Sequence, residues 1–128
     1  MATVPLRDRA TAQTQVAEAQ AIVNAARASL HASVTAALDE VRSNGAATIA
    51  QKMAMQLAAN FAADGCARAV DLVWSAAGTS GIRAGSPLQR CFRDIHTLSQ
   101  HTSKSLARYE SVGRAMMGLE SDWPYLYL

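Results

Sequence analysis

Apolar residues between Asp8 and Arg42 recur at helical spacing. Val16, Val23, Leu30 and Ala37 stand seven positions apart, and Ala19, Ala26, Val34 and Val41 fill the offsets, giving one continuous stripe. The spacing predicts a first helix over about 8–42, and its mostly small residues let a neighbouring helix come close. Asp8 in the first turn and Arg42 in the last have the signs the helix dipole favours. Ser43-Asn44-Gly45 then offers residues that tolerate a left-handed C-terminus. At 1.5 Å per residue this helix is ~50 Å long, more than a lone small globule needs.

A second helix is predicted over about 47–77. Ile49, Met53, Leu57, Phe61, Val70, Val73 and Trp74 form its apolar face, and Gln51, Lys52, Gln56, Arg68 and Asp71 are read as facing away. Gly65 in its middle costs ~1 kcal/mol of helix propensity and reads as a close helix contact. Gly78-Thr79-Ser80-Gly81 ends the helix. Two long antiparallel helices joined by a tight turn leave apolar stripes that further helices must cover. In Ser86-Pro87-Leu88-Gln89, Ser86 reads as N-cap, Pro87 as the first helical residue and Gln89 as the partner in a capping box. The third helix is expected to reach about Arg108, with Tyr109 to Leu119 continuing it or forming a shorter helix. The apolar and aromatic end, Trp123 to Leu128, is expected to dock on this chain or on a partner.

Composition sharpens this picture. The 128 residues are 50% apolar, with 27 alanines and three prolines, and none of the prolines lies between Leu6 and Pro87. All-β, collagen-like and disordered chains are poor fits. A net charge of +2 with scattered bases gives no argument for nucleic acid. No charge-free stretch approaches the ~20 apolar residues of a membrane span, and Met1 to Asp8 has no leader pattern. Cys66 and Cys91 stand alone and read as buried, reduced thiols of a cytoplasmic protein. No metal-ligand spacing is present, so no metal is expected.

On a helical wheel centred on Arg90, the residues Asp94, Thr97, His101, Lys104 and Arg108 fall within about 40°, with Arg93 near 60°. Leu88, Cys91, Phe92, Ile95, Leu98 and Leu106 fill the opposite arc. A polar stripe of this kind is what any surface helix shows. Its composition is unusual, with one acid against four bases and a histidine among them, and His101 is the side chain suited to proton handling near neutral pH. On the same wheel His96 lies about 140° from His101, so the two do not pair.

Taken together, Trp74-Ser75-Ala76-Ala77-Gly78-Thr79-Ser80, then Ser86-Pro87-Leu88-Gln89-Arg90-Cys91-Phe92-Arg93-Asp94-Ile95-His96 and Gln100-His101, resemble the C-terminal helical domain of the acyl-CoA dehydrogenase superfamily. The pattern is most similar to the oxygenase component of two-component flavin-dependent monooxygenases. The resemblance covers nearly the whole chain. It implies an all-α, antiparallel four-helix bundle over 1–128, the C-terminal piece of a larger flavoenzyme whose N-terminal helical and middle β domains are separate from it. It further implies reduced FMN or FAD as cofactor, a separate flavin reductase, and assembly as a homodimer or homotetramer through the long helices. His101 is the implied catalytic residue. Gly78, Thr79, Ser80, Arg90 and Arg93 are the implied cofactor contacts, and Thr97 and Gln100 the implied substrate contacts. In many acyl-CoA dehydrogenases a glutamate serves as base where this chain reads Gln100-His101-Thr102-Ser103, with no carboxylate before Glu110. The expected function is hydroxylation of an aromatic or similar small substrate with reduced flavin and O2. The alternatives are an acyl-CoA dehydrogenase-type oxidoreductase with its base elsewhere, and a non-catalytic oligomerisation module.

Overall fold

The computed structural model describes residues 4–128, so the first three residues of the N-terminal stretch considered above lie outside it. The described chain is all-helical, with four α-helices: α1 (Ala10–Asn44), α2 (Ile49–Ala77), α3 (Pro87–Ser99) and α4 (Leu106–Met116). Single 3-10 turns stand at Leu6–Asp8, Gly78–Ser80, Thr102–Lys104 and Pro124–Leu126.

α1 and α2 form the long hairpin that the periodicity predicts. α1 closes on Gly45, at φ 85°, whose N–H bonds the Val41 carbonyl. α2 opens with a capping box the sequence reading overlooked: Gln51 N–H donates to Thr48 Oγ1 at 3.2 Å, and Thr48 N–H donates to Gln51 Oε1 at 2.8 Å. Alanines fill the seam between the helices, with Ala12, Ala19, Ala26 and Ala37 of α1 and Ala58, Ala63 and Ala69 of α2 all buried. Ionic and polar ties cross it too, an Arg68–Glu18 ion pair and a Gln15 amide donating to Ser75 Oγ at 3.1 Å.

The single stripe expected on α1 is therefore split. Its alanines turn to α2, while Val16, Val34 and Val41 remain 53%, 39% and 42% exposed. The reason is geometric, since α1 packs lengthwise only along α2. α2 is the central element, in contact with α1, α3, α4 and the C-terminal tail.

Gly65 sits where the hairpin is tightest. A Cβ there would meet Ile22 Cγ2 at 3.0 Å. Gly65→Leu is expected to lower the unfolding free energy by about 1–3 kcal/mol through overpacking. Gly65→Ala should cost less, because alanine regains ~1 kcal/mol of helix propensity. Urea unfolding reads both, and an unchanged midpoint for the leucine variant would contradict the close approach.

α3 packs on α2 through an aromatic ladder. Trp74 and Phe92 lie 4.5 Å apart between centroids, as do Phe92 and His96. His96 Nε2 lies 2.8 Å from Asp71 Oδ1, so Asp71, exposed as expected, also ties α2 to α3 at the surface. Cys91 is also exposed rather than buried, and Cys66 is half-buried; both are free thiols. At Ser86 the backbone takes the N-cap conformation, but the side chain makes no capping hydrogen bond, and the box with Gln89 does not form.

α3 stops at Ser99 and does not continue to Arg108. The Thr97 and Ser99 hydroxyls donate back to the Arg93 and His96 carbonyls at 2.8 Å each, a pattern that weakens and bends a helix. His101 then turns extended, at φ −68° and ψ 133°. The file running from Arg90 to Arg108 consequently breaks up: Arg90, Arg93, Asp94 and Thr97 stay on α3, His101 and Lys104 fall at the 3-10 turn, and Arg108 lies on α4. α4 ends near Gly118, at φ 77°.

The C-terminal tail docks on this chain, with Leu126 2% exposed and Trp123 half-buried. Ser121 N–H donates to Tyr127 Oη at 2.8 Å, and Arg114 Nε donates to the Glu120 carbonyl at 3.1 Å. No described helix is long and apolar enough to cross a membrane.

Candidate active site

His101 caps the 3-10 turn between α3 and α4. The Ser103 backbone N–H donates to its Nδ1 at 3.2 Å, and Ser103 Oγ lies 2.7 Å from the same nitrogen. A nitrogen that accepts from a backbone N–H holds no proton itself, so the neutral ring carries its hydrogen on Nε2. Local backbone geometry thus selects one tautomer, and His101 presents a hydrogen-bond donor.

The turn is anchored by α2. Gln56 Nε2 donates to the Ser103 carbonyl at 2.8 Å and to Asn60 Oδ1 at 2.9 Å, and Asn60 is fully buried. Gln56, expected on the outer face, is in fact the post that holds the His101 turn in place. His101 opens onto a cleft of about 540 Å³ walled by Gln56, Thr102, Ser103, Trp123 and Tyr125. Trp123 and Tyr125 pack at 4.9 Å between centroids, and the Arg108 guanidinium sits 3.9 Å over the indole. Pi-face contact with a cation holds the tryptophan where the short tail alone would leave it loose.

Two ionisable groups nearby are displaced from their ordinary range. The Asp122 carboxyl is held low, chiefly by the Ser111 hydroxyl and further by the charges of Arg108 and Arg114. That hydroxyl has two acceptors in reach, Asp122 and the Ala107 carbonyl at 2.9 Å. Burial, with the neighbouring Asp64 carboxylate, pushes the Tyr109 phenol up.

The other predicted residues fall elsewhere. Thr97 and Gln100 are exposed on the last turn of α3 and are not walls of the cleft. Arg90 and Arg93 line a second cleft, of about 670 Å³, at the start of α3, with Gly85, Ser86 and Asp94. Arg90 makes a solvent-exposed pair with Asp94 at 3.5 Å. This cleft lies about 14 Å along the helix from Ser99, so the two sites are distinct. Gly78, Thr79 and Ser80 form an exposed 3-10 turn; Gly78 itself is at φ 54° and ψ −138°, a conformation suited to glycine. Trp123, Tyr125, Gln56 and Arg108 were not singled out for this cleft. The signal for two of them is the aromatic tail, Trp123 to Leu128.

Four helices in this order, with the Ala-Ala-Gly turn leading into the Pro-Leu-Gln-Arg start of α3, define a known class of helical domain. Residues 1–105 match the family described as "Acyl-CoA dehydrogenase, C-terminal domain", and the chain belongs to that family. It is similar to two proteins named indole-3-acetate monooxygenase. The one from Pseudomonas putida is 29% identical over 121 residues, and the one from Acinetobacter baumannii 26% identical over 121 residues. Each alignment covers 94% of this chain and 31% of the relative, so the chain spans about a third of those proteins' length.

Proposed function

We propose that this chain is the C-terminal helical part of a flavin-dependent monooxygenase that hydroxylates an aromatic substrate with reduced flavin and O2. The carrying observation is His101, its tautomer fixed by Ser103, opening onto a cleft walled by Trp123 and Tyr125. An N–H donor beside aromatic walls suits an aryl ring with a polar substituent. The family and the printed names of the two relatives support the same chemistry. His101 orients the substrate by hydrogen bonding, and Thr97 and Gln100, exposed next to it, meet the substrate's outer end.

The start of α3 fits the phosphate end of a flavin nucleotide. Ser86 makes no side-chain cap, and Arg90 and Arg93 supply two guanidiniums at the same cleft. Gly78, Thr79 and Ser80 approach the flavin of a neighbouring subunit as an exposed 3-10 turn. When bound, reduced FMN or FAD supplies the electrons that activate O2. The protein acts in the cytoplasm with a separate reductase, as a homodimer or homotetramer. The outward-facing Val16, Val34, Leu38 and Val41 of α1 favour such an assembly.

The test uses the longer polypeptide that joins this chain to N-terminal helical and β domains. Reduced flavin, O2 and an aromatic substrate should yield a hydroxylated product by mass spectrometry. Anaerobic bleaching of its oxidised flavin by an acyl-CoA, without hydroxylation, would instead establish the dehydrogenase alternative.

A further inference from the structure

We propose that Asn60 is a positioning residue for His101: from inside the bundle it fixes the Gln56 amide, and Gln56 in turn fixes the 3-10 turn on which His101 sits. The inference rests on the reading of His101 as the substrate-side donor for its catalytic meaning.

Three polar side chains are buried among the described residues, those of Asn60, Ser111 and Ser121. The two serines are partnered. Ser111 Oγ donates to the Ala107 carbonyl at 2.9 Å, and Ser121 Oγ accepts from the Trp123 N–H at 3.2 Å. Asn60 differs from both. It is 0% exposed, its Oδ1 accepts from Gln56 Nε2 at 2.9 Å, and its buried Nδ2 has no acceptor. A buried donor without an acceptor costs stability, and the other buried residues of α2 are alanines. An apolar side chain would therefore serve the fold at least as well. What an apolar side chain cannot supply is the bond to Gln56.

That bond decides which way the Gln56 amide is turned. The Ser103 carbonyl can only accept, so the Gln56 atom 2.8 Å from it is the nitrogen. The same nitrogen faces Asn60, which must then present Oδ1 and leave Nδ2 unpartnered. Both amide hydrogens of Gln56 are thereby taken, one within α2 and one by a turn 47 residues further along the chain. With the inner acceptor removed, the long Gln56 side chain is free to swing among rotamers over the two clefts it walls. Ser103 would lose its anchor, and Ser103 is the residue whose N–H and hydroxyl meet His101 Nδ1. Control runs from Asn60 through Gln56 and Ser103 to His101, from a buried atom to the open cleft.

Nitrogen-15 NMR of the imidazoles in the 128-residue chain tests this without flavin or substrate. Asn60→Leu keeps the side-chain branching and removes the acceptor, whereas Asn60→Asp keeps an acceptor and buries a charge. Stability and ring order should therefore move in opposite directions. Asn60→Leu should leave the urea midpoint unchanged or raised, yet let the His101 ring sample both tautomers. The Ser103 amide should then exchange about fivefold faster or more, the equivalent of one net hydrogen bond. Asn60→Asp should lower the midpoint and keep the single tautomer. His96, tied to Asp71 instead, should not change in either variant. Should leucine prove too bulky to fold, Asn60→Ala asks the same question with no added volume. A single His101 tautomer in a folded Asn60→Leu or Asn60→Ala chain overturns the proposal, as does its loss in a folded Asn60→Asp chain. Ring disorder that merely tracks the fall in midpoint across the variants also overturns it, since a structural role alone gives that pattern. The predicted NMR pattern in a chain whose longer form does not hydroxylate would sink the proposed activity alone. Hydroxylation without that pattern would sink only the role given to Asn60.

Discussion

Replacing Leu126 with alanine is expected to lower the unfolding free energy by about 2–5 kcal/mol. The size of the effect follows from how this domain is built. Its buried apolar residues are mostly alanines, and Leu126 and Val112 are its largest fully buried apolar side chains. Alanine seams give close backbone approach but little apolar area per residue, so a single buried leucine carries an unusual share of the burial. Leu126 also sits in the recess with Leu30, Met55 and Trp123, within the C-terminal tail. Truncating it opens a cavity and releases the tail together, and the two costs add. Leu126→Met, which conserves volume, should cost less than ~1.5 kcal/mol. Urea unfolding followed by circular dichroism gives the comparison. Near-identical midpoints for the alanine and unaltered chains would mean that the tail is not part of the cooperative unit.

The two long helices were readable because their signals are local and redundant: a seven-residue stripe, a terminal Asn44-Gly45, and no proline between Leu6 and Pro87. The same stripe did not say which of its residues meet α2. Alanines and valines share the periodicity, and only the presence of a single neighbour decides that Ala19 and Ala26 go inward while Val16 and Val34 stay out. The end of α3 was a different kind of miss. Extending the wheel past Ser99 treated periodicity as continuous, although Thr97, Ser99, Thr102, Ser103 and Ser105 form a run of hydroxyl residues that compete for backbone partners. That run was the available evidence for a break. Once the helix breaks, His101 leaves the file with Arg90 and Asp94 and joins Trp123, Tyr125 and Gln56. No spacing rule connects position 56 to 101 and 123. They meet because α2 is central and the tail folds back across it.

His101→Ala, made in the longer polypeptide, should cut hydroxylated product formation by more than about tenfold. Because the Ser103 N–H occupies Nδ1, the neutral ring acts through an Nε2 hydrogen, as a donor. Glutamine at the same position carries an amide N–H that reaches a similar distance. His101→Gln should therefore retain several-fold more activity than His101→Ala, though it cannot exchange a proton as imidazole does. Equal losses in the two variants would assign His101 to proton transfer, and normal hydroxylation by the alanine variant would remove it from the site. The tautomer itself is observable apart from turnover: nitrogen-15 NMR of the imidazole should show an unprotonated Nδ1 and a protonated Nε2 in the neutral ring. The reverse pattern would break the link between Ser103 and the chemistry, since the bond that orients the ring would then not be the one selecting its donor.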